Sequence, residues 1–223
     1  MGEADVRPRV ETMRFGSLRI TFDERVLRPR PWTEAQSEWA AELLRHAPAG
    51  DVLELCTGAG HIGLLAIVDS DRRLIAVDAN PVAVEHARAN AADAGLADRV
   101  EVRLGRLEEV VASRERFAVV VADPPWVTSA GVADLPEDPE SAIDGGHDGL
   151  DVARLCVEVV EAHLAVGGAA LLQLGTVEQA ETIGGWAQDR GVLRPSEMRT
   201  FDRGVLVRLD RAATRGEEQA GTP

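Results

Sequence analysis

The chain has 223 residues, 45% of them hydrophobic, enough to bury one sizeable core, with nothing that sets off a second globular domain. It carries 38 acids against 24 arginines and no lysine, a formal net charge of −14, which disfavours nucleic acid and other polyanions as partners. No apolar run reaches 18 residues and the N-terminus MGEADVRPRVE is polar, so neither a membrane span nor a secretory signal is expected, and the chain reads as cytoplasmic.

Residues 1 to 13 are expected to be loose, and the alternation of Phe15 to Phe22, FGSLRITF, predicts a short strand or hairpin arm. Pro29 and Pro31 hold off a helix until Thr33 can cap one running from Glu34 to about His46, with Trp39, Leu43 and Leu44 on one face. The apolar run Val52 to Leu55 predicts a strand that delivers the backbone into a glycine corner, Thr57-Gly58-Ala59-Gly60, after which Ile62, Leu64, Leu65, Ile67 and Val68 take up helical spacing. A second apolar strand, Leu74 to Asp78, ends on a carboxylate. Asn80 caps the next helix, with Pro81 at its first position and Val84, Ala87, Ala91 and Ala94 on its packed face.

Val100 to Leu104 and Phe117 to Ala122 follow as strands, the latter almost wholly apolar, as expected for a strand buried on both faces. It ends in Asp123-Pro124-Pro125-Trp126. A long loop to Gly149 precedes a helix to Val166, a strand from Ala169 to Leu174 and a helix from Glu178 to Arg190. Leu193 to Phe201 and Val205 to Leu209 are close enough to pair as a hairpin, and the last dozen residues are expected to be disordered. The alternation predicts an α/β fold, a doubly wound seven-stranded, mostly parallel sheet with a C-terminal antiparallel hairpin. Residues 1–50 would be an extension packing on a body of residues 51–210, and 211–223 a tail.

The chemistry is expected beyond the carboxyl ends of the strands. Gly58 and Gly60 let the backbone approach a ligand where a Cβ would clash or forbid positive φ, and the helix that follows offers free N–H groups. Asp78, about 20 residues on, stands where a carboxylate binds ribose hydroxyls. GAGHIG in a chain without lysine excludes a P-loop, and spacing alone leaves open a dinucleotide or S-adenosylmethionine. Cys56 and Cys156 read as two buried thiols, and the histidines form no HxH or HExxH pattern, so no metal site is expected. Arg19, Arg25, Arg28 and Arg30 form a small basic cluster, while from Asp123 to Asp151 eight acids stand with no arginine, an acidic rim suited to a neutral or cationic substrate.

The succession LELCTGAG, VDANPVAVEHARANA, DPPW, DGGHDGLDVAR and LAVGGAALLQLG resembles the class I S-adenosylmethionine-dependent methyltransferases, and more narrowly the HemK/PrmC family of protein glutamine N5-methyltransferases. The likeness runs from about Phe15 to Gln179 and includes RPRPWTE, similar to the family's PRPETE. It implies S-adenosylmethionine as cofactor, with Thr33, Glu54, Thr57, Gly58, Gly60, Asp78, Ala79 and Asp123 around it, and the acceptor nitrogen at Asp123, Pro124, Pro125 and Trp126. The chain departs from the family in DPPW for NPPY, in Gln173 where a glutamate is usual, and in Arg106 near the usual adenine-binding acid, leaving Glu108 or backbone for that task. The family's N-terminal helical domain has no counterpart either, so a partner subunit is expected if the substrate is a protein.

A nitrogen attacking a methyl group must have its N–H groups held by acceptors that leave the line of attack free. Asp123 and the Pro124 carbonyl are such acceptors, the prolines stiffen their loop, and Trp126 offers a flat wall or a face for a cation. Asp123, Pro124 and Trp126 are thus the expected catalytic residues. His61 and the Asp144–His147 segment read as structural, the latter as a turn closing the loop. The favoured acceptor is a small amine, guanidine or amide. Alternatives are a protein glutamine, an exocyclic base amino group, or no reaction at all in a cofactor-binding module.

Overall fold

The computed structural model describes residues 8–211. Val10–Phe15 (β1) and Leu18–Asp23 (β2) form an antiparallel hairpin that turns at Gly16, where φ is 54°. Order begins earlier than expected because Val10 pairs with Asp23 and each residue to Phe15 has a cross-strand partner. Residues 1–7 and the predicted tail from 212 onward lie outside the described residues. Pro31–Thr33 is a single 3-10 turn leading into α1 (Glu34–Leu44). Thr33 does not cap α1 with its side chain. It already has helical backbone (φ −76°, ψ −4°), and its hydroxyl donates to Arg30 O at 2.8 Å instead.

From there strands and helices alternate: β3 (Asp51–Leu55), α2 (His61–Ile67), β4 (Leu74–Asp78), α3 (Pro81–Asp93), β5 (Val100–Leu104), α4 (Leu107–Val110) and β6 (Phe117–Ala122). After the long loop and its short α5 (Glu140–Ile143) come α6 (Asp151–His163), β7 (Leu164–Leu174), α7 (Val177–Asp189), β8 (Leu193–Thr200) and β9 (Val205–Arg211). Asn80 caps α3 as expected, its Oδ1 accepting from Val82 N at 2.9 Å. The predicted extension of α6 to Val166 fails. Leu164, fully buried, instead pairs with Phe117 to open β7 five residues earlier than expected, and the register shifts before Val119 pairs with Ala169, near Gly167 with its φ of 76°.

The seven-stranded sheet has the order β5-β4-β3-β6-β7-β9-β8, parallel from β5 to β7 and antiparallel through β9 and β8. Strand periodicity divides its side chains between two cores. Val52, Ala76, Val119, Val121 and Leu171 face α1, α2, α3 and the β1–β2 hairpin; Leu53, Val77, Val120, Ala122 and Leu172 face α6 and α7. The chain leaves β3 towards β4 and β5 on one side and returns to β6 and β7 on the other. The crevice at that reversal opens at the ends of β3 and β6.

Two buried amides hold this crevice together from behind. Asn90 of α3 accepts from Thr21 N at 2.8 Å and donates to Thr21 O and Ala59 O at 2.9 and 2.8 Å, joining the hairpin to the glycine corner. Gln36 of α1 donates to Ala122 O and Leu171 O at 2.9 and 3.1 Å, clamping the ends of β6 and β7. Among the described residues no helix is long and apolar enough to cross a membrane.

Candidate active site

A cavity of about 290 Å³ lies over the ends of β3 and β4. Its floor is the corner Cys56-Thr57-Gly58, its side Asp78 and Ala79, and its roof Leu27, Ser141 and Ala142. Gly58 has φ of 53°, and a Cβ there would meet nothing nearer than Val26 Cγ1 at 4.0 Å, so the backbone is bare towards the open space. Asp78 Oδ2 accepts from Gly58 N at 2.7 Å and Oδ1 from Asn80 N at 2.9 Å. Each oxygen keeps a lone pair for a ligand, and burial raises the carboxyl above its ordinary value.

A second cavity, of about 170 Å³, is lined by Pro124, Trp126, Trp32, Thr33, Gln173 and Arg203 among others. The two meet at Leu27, Arg30, Asp123, Pro125 and Ala142, of which Asp123 alone is acidic. Burial, with no charged partner to offset it, lifts the Asp123 carboxyl to about 7. The DPPW loop is pinned from outside by Gln179, which donates to Trp126 O at 2.9 Å and accepts from Gly175 N at 3.0 Å. Gln173 donates one Nε2 hydrogen to Leu174 O at 3.1 Å, which fixes the amide's orientation.

Not every expected residue reaches the cavities. Glu54 lines neither: its carboxylate accepts from the Thr57 hydroxyl and from Gly63 N at 2.8 Å, stapling the corner to α2, and burial raises it to about 7. Gly60, with φ of 83°, serves close packing, since a Cβ would sit 3.2 Å from Ala87 Cβ on α3. Thr33, Pro124 and Trp126 line only the second cavity. His61 lines the first, edge-on to Phe15, and burial lowers it to about 3, so it is neutral.

Cys56 and Cys156, distant in sequence, are free thiols that meet in the fold. A hydrogen bond to Cys156, and then burial, push the Cys56 thiol well above its ordinary value. Asp144 accepts from Ser129 Oγ and Gly146 N, and Val127 bridges to Asp144, so the DGGHDG segment is the expected turn. The sequence reading missed Gln36, Asn90 and Gln179. Their signal was an amide at each of three sites on otherwise apolar or small-residue helix faces.

Every arginine that lines the first cavity is already paired with a carboxylate: Arg28 with Glu11, Arg30 with Asp138, Arg106 with Glu108. Arg25, of the predicted basic cluster, pairs with Asp23. Among the described residues no unpaired arginine of this cavity therefore awaits a pyrophosphate, whereas a cavity bordered by Asp78 and Asp123 suits a cationic ligand. A methyltransferase-domain family model matches residues 46–164 of the chain. The chain belongs to the class I S-adenosylmethionine-dependent methyltransferases.

The methyltransferase is 34% identical over 204 residues to the release factor glutamine methyltransferase of Cereibacter sphaeroides, covering 87% of this chain and 70% of that one. It is 33% identical over 164 residues to the ribosomal protein uL3 glutamine methyltransferase of Bordetella pertussis, covering 70% and 55%. The chain spans little more than half the length of several curated relatives it matches. In fold it is similar to the hMettl16 catalytic domain, with a TM-score of 0.69 at 13% identity over 89% of this chain and 76% of that one. S-adenosylmethionine supplies a methyl group already bonded to a positive sulfur. Gly58, Asp78 and Ala79 are the residues of the first cavity that would hold it, with Glu108, held by Arg106 at 2.6 Å, on the wall beyond.

Proposed function

We propose that the methyltransferase methylates the side-chain amide nitrogen of a glutamine in a protein substrate. The observation that carries this is the second cavity, where Asp123 and Gln173 face one space. A primary amide offers two N–H donors and a carbonyl acceptor. Asp123 takes the N–H, and the second Nε2 hydrogen of Gln173 serves the carbonyl, so neither group of the substrate is left unpaired. Relatives named for release factors and for ribosomal protein uL3 support an amide of that kind. Such substrates imply a cytoplasmic enzyme.

The amine expectation rested in part on the acidic rim, and much of that rim is engaged elsewhere. Asp138 is held by Arg30, Asp148 and Asp151 by Arg154, and Asp144 by Ser129 and Gly146 N. What is left is a weaker attraction for a cation than eight free carboxylates would give.

Incubation with S-adenosylmethionine and, separately, a bacterial release factor, protein uL3 and a panel of small amines discriminates the readings. Tandem mass spectrometry is expected to locate one methyl group on a glutamine side chain of a protein. Gln173→Ala should lower kcat/KM for that protein by about 10- to 100-fold, the effect of stranding one polar group. Methylation of the amines alone, or of a protein at an atom other than amide nitrogen, would refute the proposal.

A further inference from the structure

Three carboxyls stand at the carboxyl end of the parallel strands, and their hydrogen bonds separate them. Glu54 accepts from Thr57 and Gly63, Asp78 from Gly58 and Asn80, and each is thereby fixed as an acceptor within the fold. Asp123 accepts from no donor among the described residues, and nothing but burial acts on its carboxyl. It is also the one acid on the wall shared by the two cavities, where the methyl group must cross from one to the other.

We infer that Asp123 is the proton acceptor of the reaction, taking the proton that the amide nitrogen sheds and changing charge in step with the sulfur. The assignment rests on the amide reading for the identity of the acceptor, though not for the proton. In the transfer a nitrogen–carbon bond forms as the carbon–sulfur bond breaks, with that pair kept by sulfur. One N–H bond of the amide breaks, its pair returns to nitrogen, and the proton goes to a carboxylate oxygen of Asp123. Positive charge disappears from sulfur and negative charge from Asp123 together, so the half-buried junction never holds an uncompensated ion. An asparagine at this position has no lone pair basic enough for that task.

The neighbours of Asp123 leave the role to it. His61, on α2, is neutral, with its affinity for a proton already depressed by burial to about 3. Cys56, on the corner, is pushed well above its ordinary value and stays a thiol. Arg30 is held by Asp138 across the shared roof, and Glu137 and Arg203 stand on the far wall of the second cavity. Glu54, from β3, is raised chiefly by burial and to a smaller extent by the charges of Asp78, from β4, and of Asp123 itself. With the carboxyl at about 7 in the free protein, a positive sulfur beside it favours the carboxylate, and a neutral thioether restores the acid.

Calorimetry in two buffers of different ionisation enthalpy reads this directly at pH 7. Binding of S-adenosylmethionine should release more protons than binding of S-adenosylhomocysteine, by up to about half a proton per site, and the difference should fade by pH 9. Asp123→Asn, which conserves shape, should abolish the difference while keeping its affinity for S-adenosylhomocysteine, which shows that the variant is folded. A difference that survives in the variant assigns the proton to Glu54, Asp78 or the ligands and overturns the inference. With a methylated acceptor in hand, kcat/KM of the wild type for S-adenosylmethionine should rise with pH up to about 8, and Asp123→Asn should lose that rise and about 10²- to 10⁴-fold in kcat. An unchanged kcat in the variant overturns it as well. Should no protein glutamine be methylated while the proton difference appears and vanishes as described, the acceptor assignment falls and the proton assignment stands.

Discussion

Asp78 does two jobs with one carboxylate, and they can be separated by experiment. Its oxygens tie the glycine corner and the start of α3 through Gly58 N and Asn80 N, and its remaining lone pairs face the first cavity. Asp78→Ala is expected to weaken S-adenosylmethionine binding by at least about tenfold and to lower stability by about 1 to 3 kcal/mol, because two backbone donors lose their partner. Calorimetry and a denaturant titration measure the two effects. Equal affinity in wild type and variant would remove Asp78 from the binding site. Gly58, Asp78 and Asp123 were legible as crevice residues because each stands at or shortly past the end of a buried strand, where the chain faces the crevice. Glu54 lines neither cavity for the opposite reason. It is still inside β3, where alternation with Leu53 and Leu55 aims it at the α2 layer, so a count of two would have placed it behind the corner rather than in front.

At the scale of elements, β3, β4 and β6 were legible almost to the residue as short, mostly apolar runs bounded by turns, and β5, VEVRL, by its alternation. The boundary between α6 and β7 was not. HLAV continues the helical pattern of α6, and only the pairing of Leu164 with Phe117, a contact between residues far apart in sequence, ends the helix at His163. Of the hairpin only β2 was visible as alternation, since β1 falls largely in residues expected to be loose, and its attachment was hidden in one asparagine. Asn90 fills three hydrogen bonds while fully buried, joining β2, α3 and the carbonyl of Ala59. Asn90→Ala should therefore destabilise the protein by about 2 to 4 kcal/mol and lower its affinity for S-adenosylmethionine as the corner loosens. Chemical denaturation and a binding isotherm test this, and a loss of stability under about 0.5 kcal/mol would show that the hairpin is held by its apolar side chains alone.

For the whole molecule, the charge distribution sets how stability follows pH. Glu54 and Asp123 are both raised to about 7 by burial, and Asp78 is raised as well. The folded state thus binds protons that the unfolded chain has released, so stability falls as pH rises from about 4.5 to about 7. Asp23 acts in the other direction, held far below its ordinary value chiefly by Arg25 and then by His86, and its contribution is lost only in strong acid, as pH falls below the usual carboxylate range. Without cofactor, the melting temperature is expected to be several degrees higher at pH 5.5 than at pH 8, with a smaller difference in Glu54→Gln. A melting temperature that rises from pH 5.5 to pH 8 would contradict the protonated carboxyls of the crevice. The two cavities also differ in how much of the chain they require. The last residue to line the first is Leu155, whereas the second needs Gln173 on β7 and Arg203 in the turn between the final two strands. In chain order, then, the lining of the first cavity is complete before β7 begins, whereas the second still lacks a wall there.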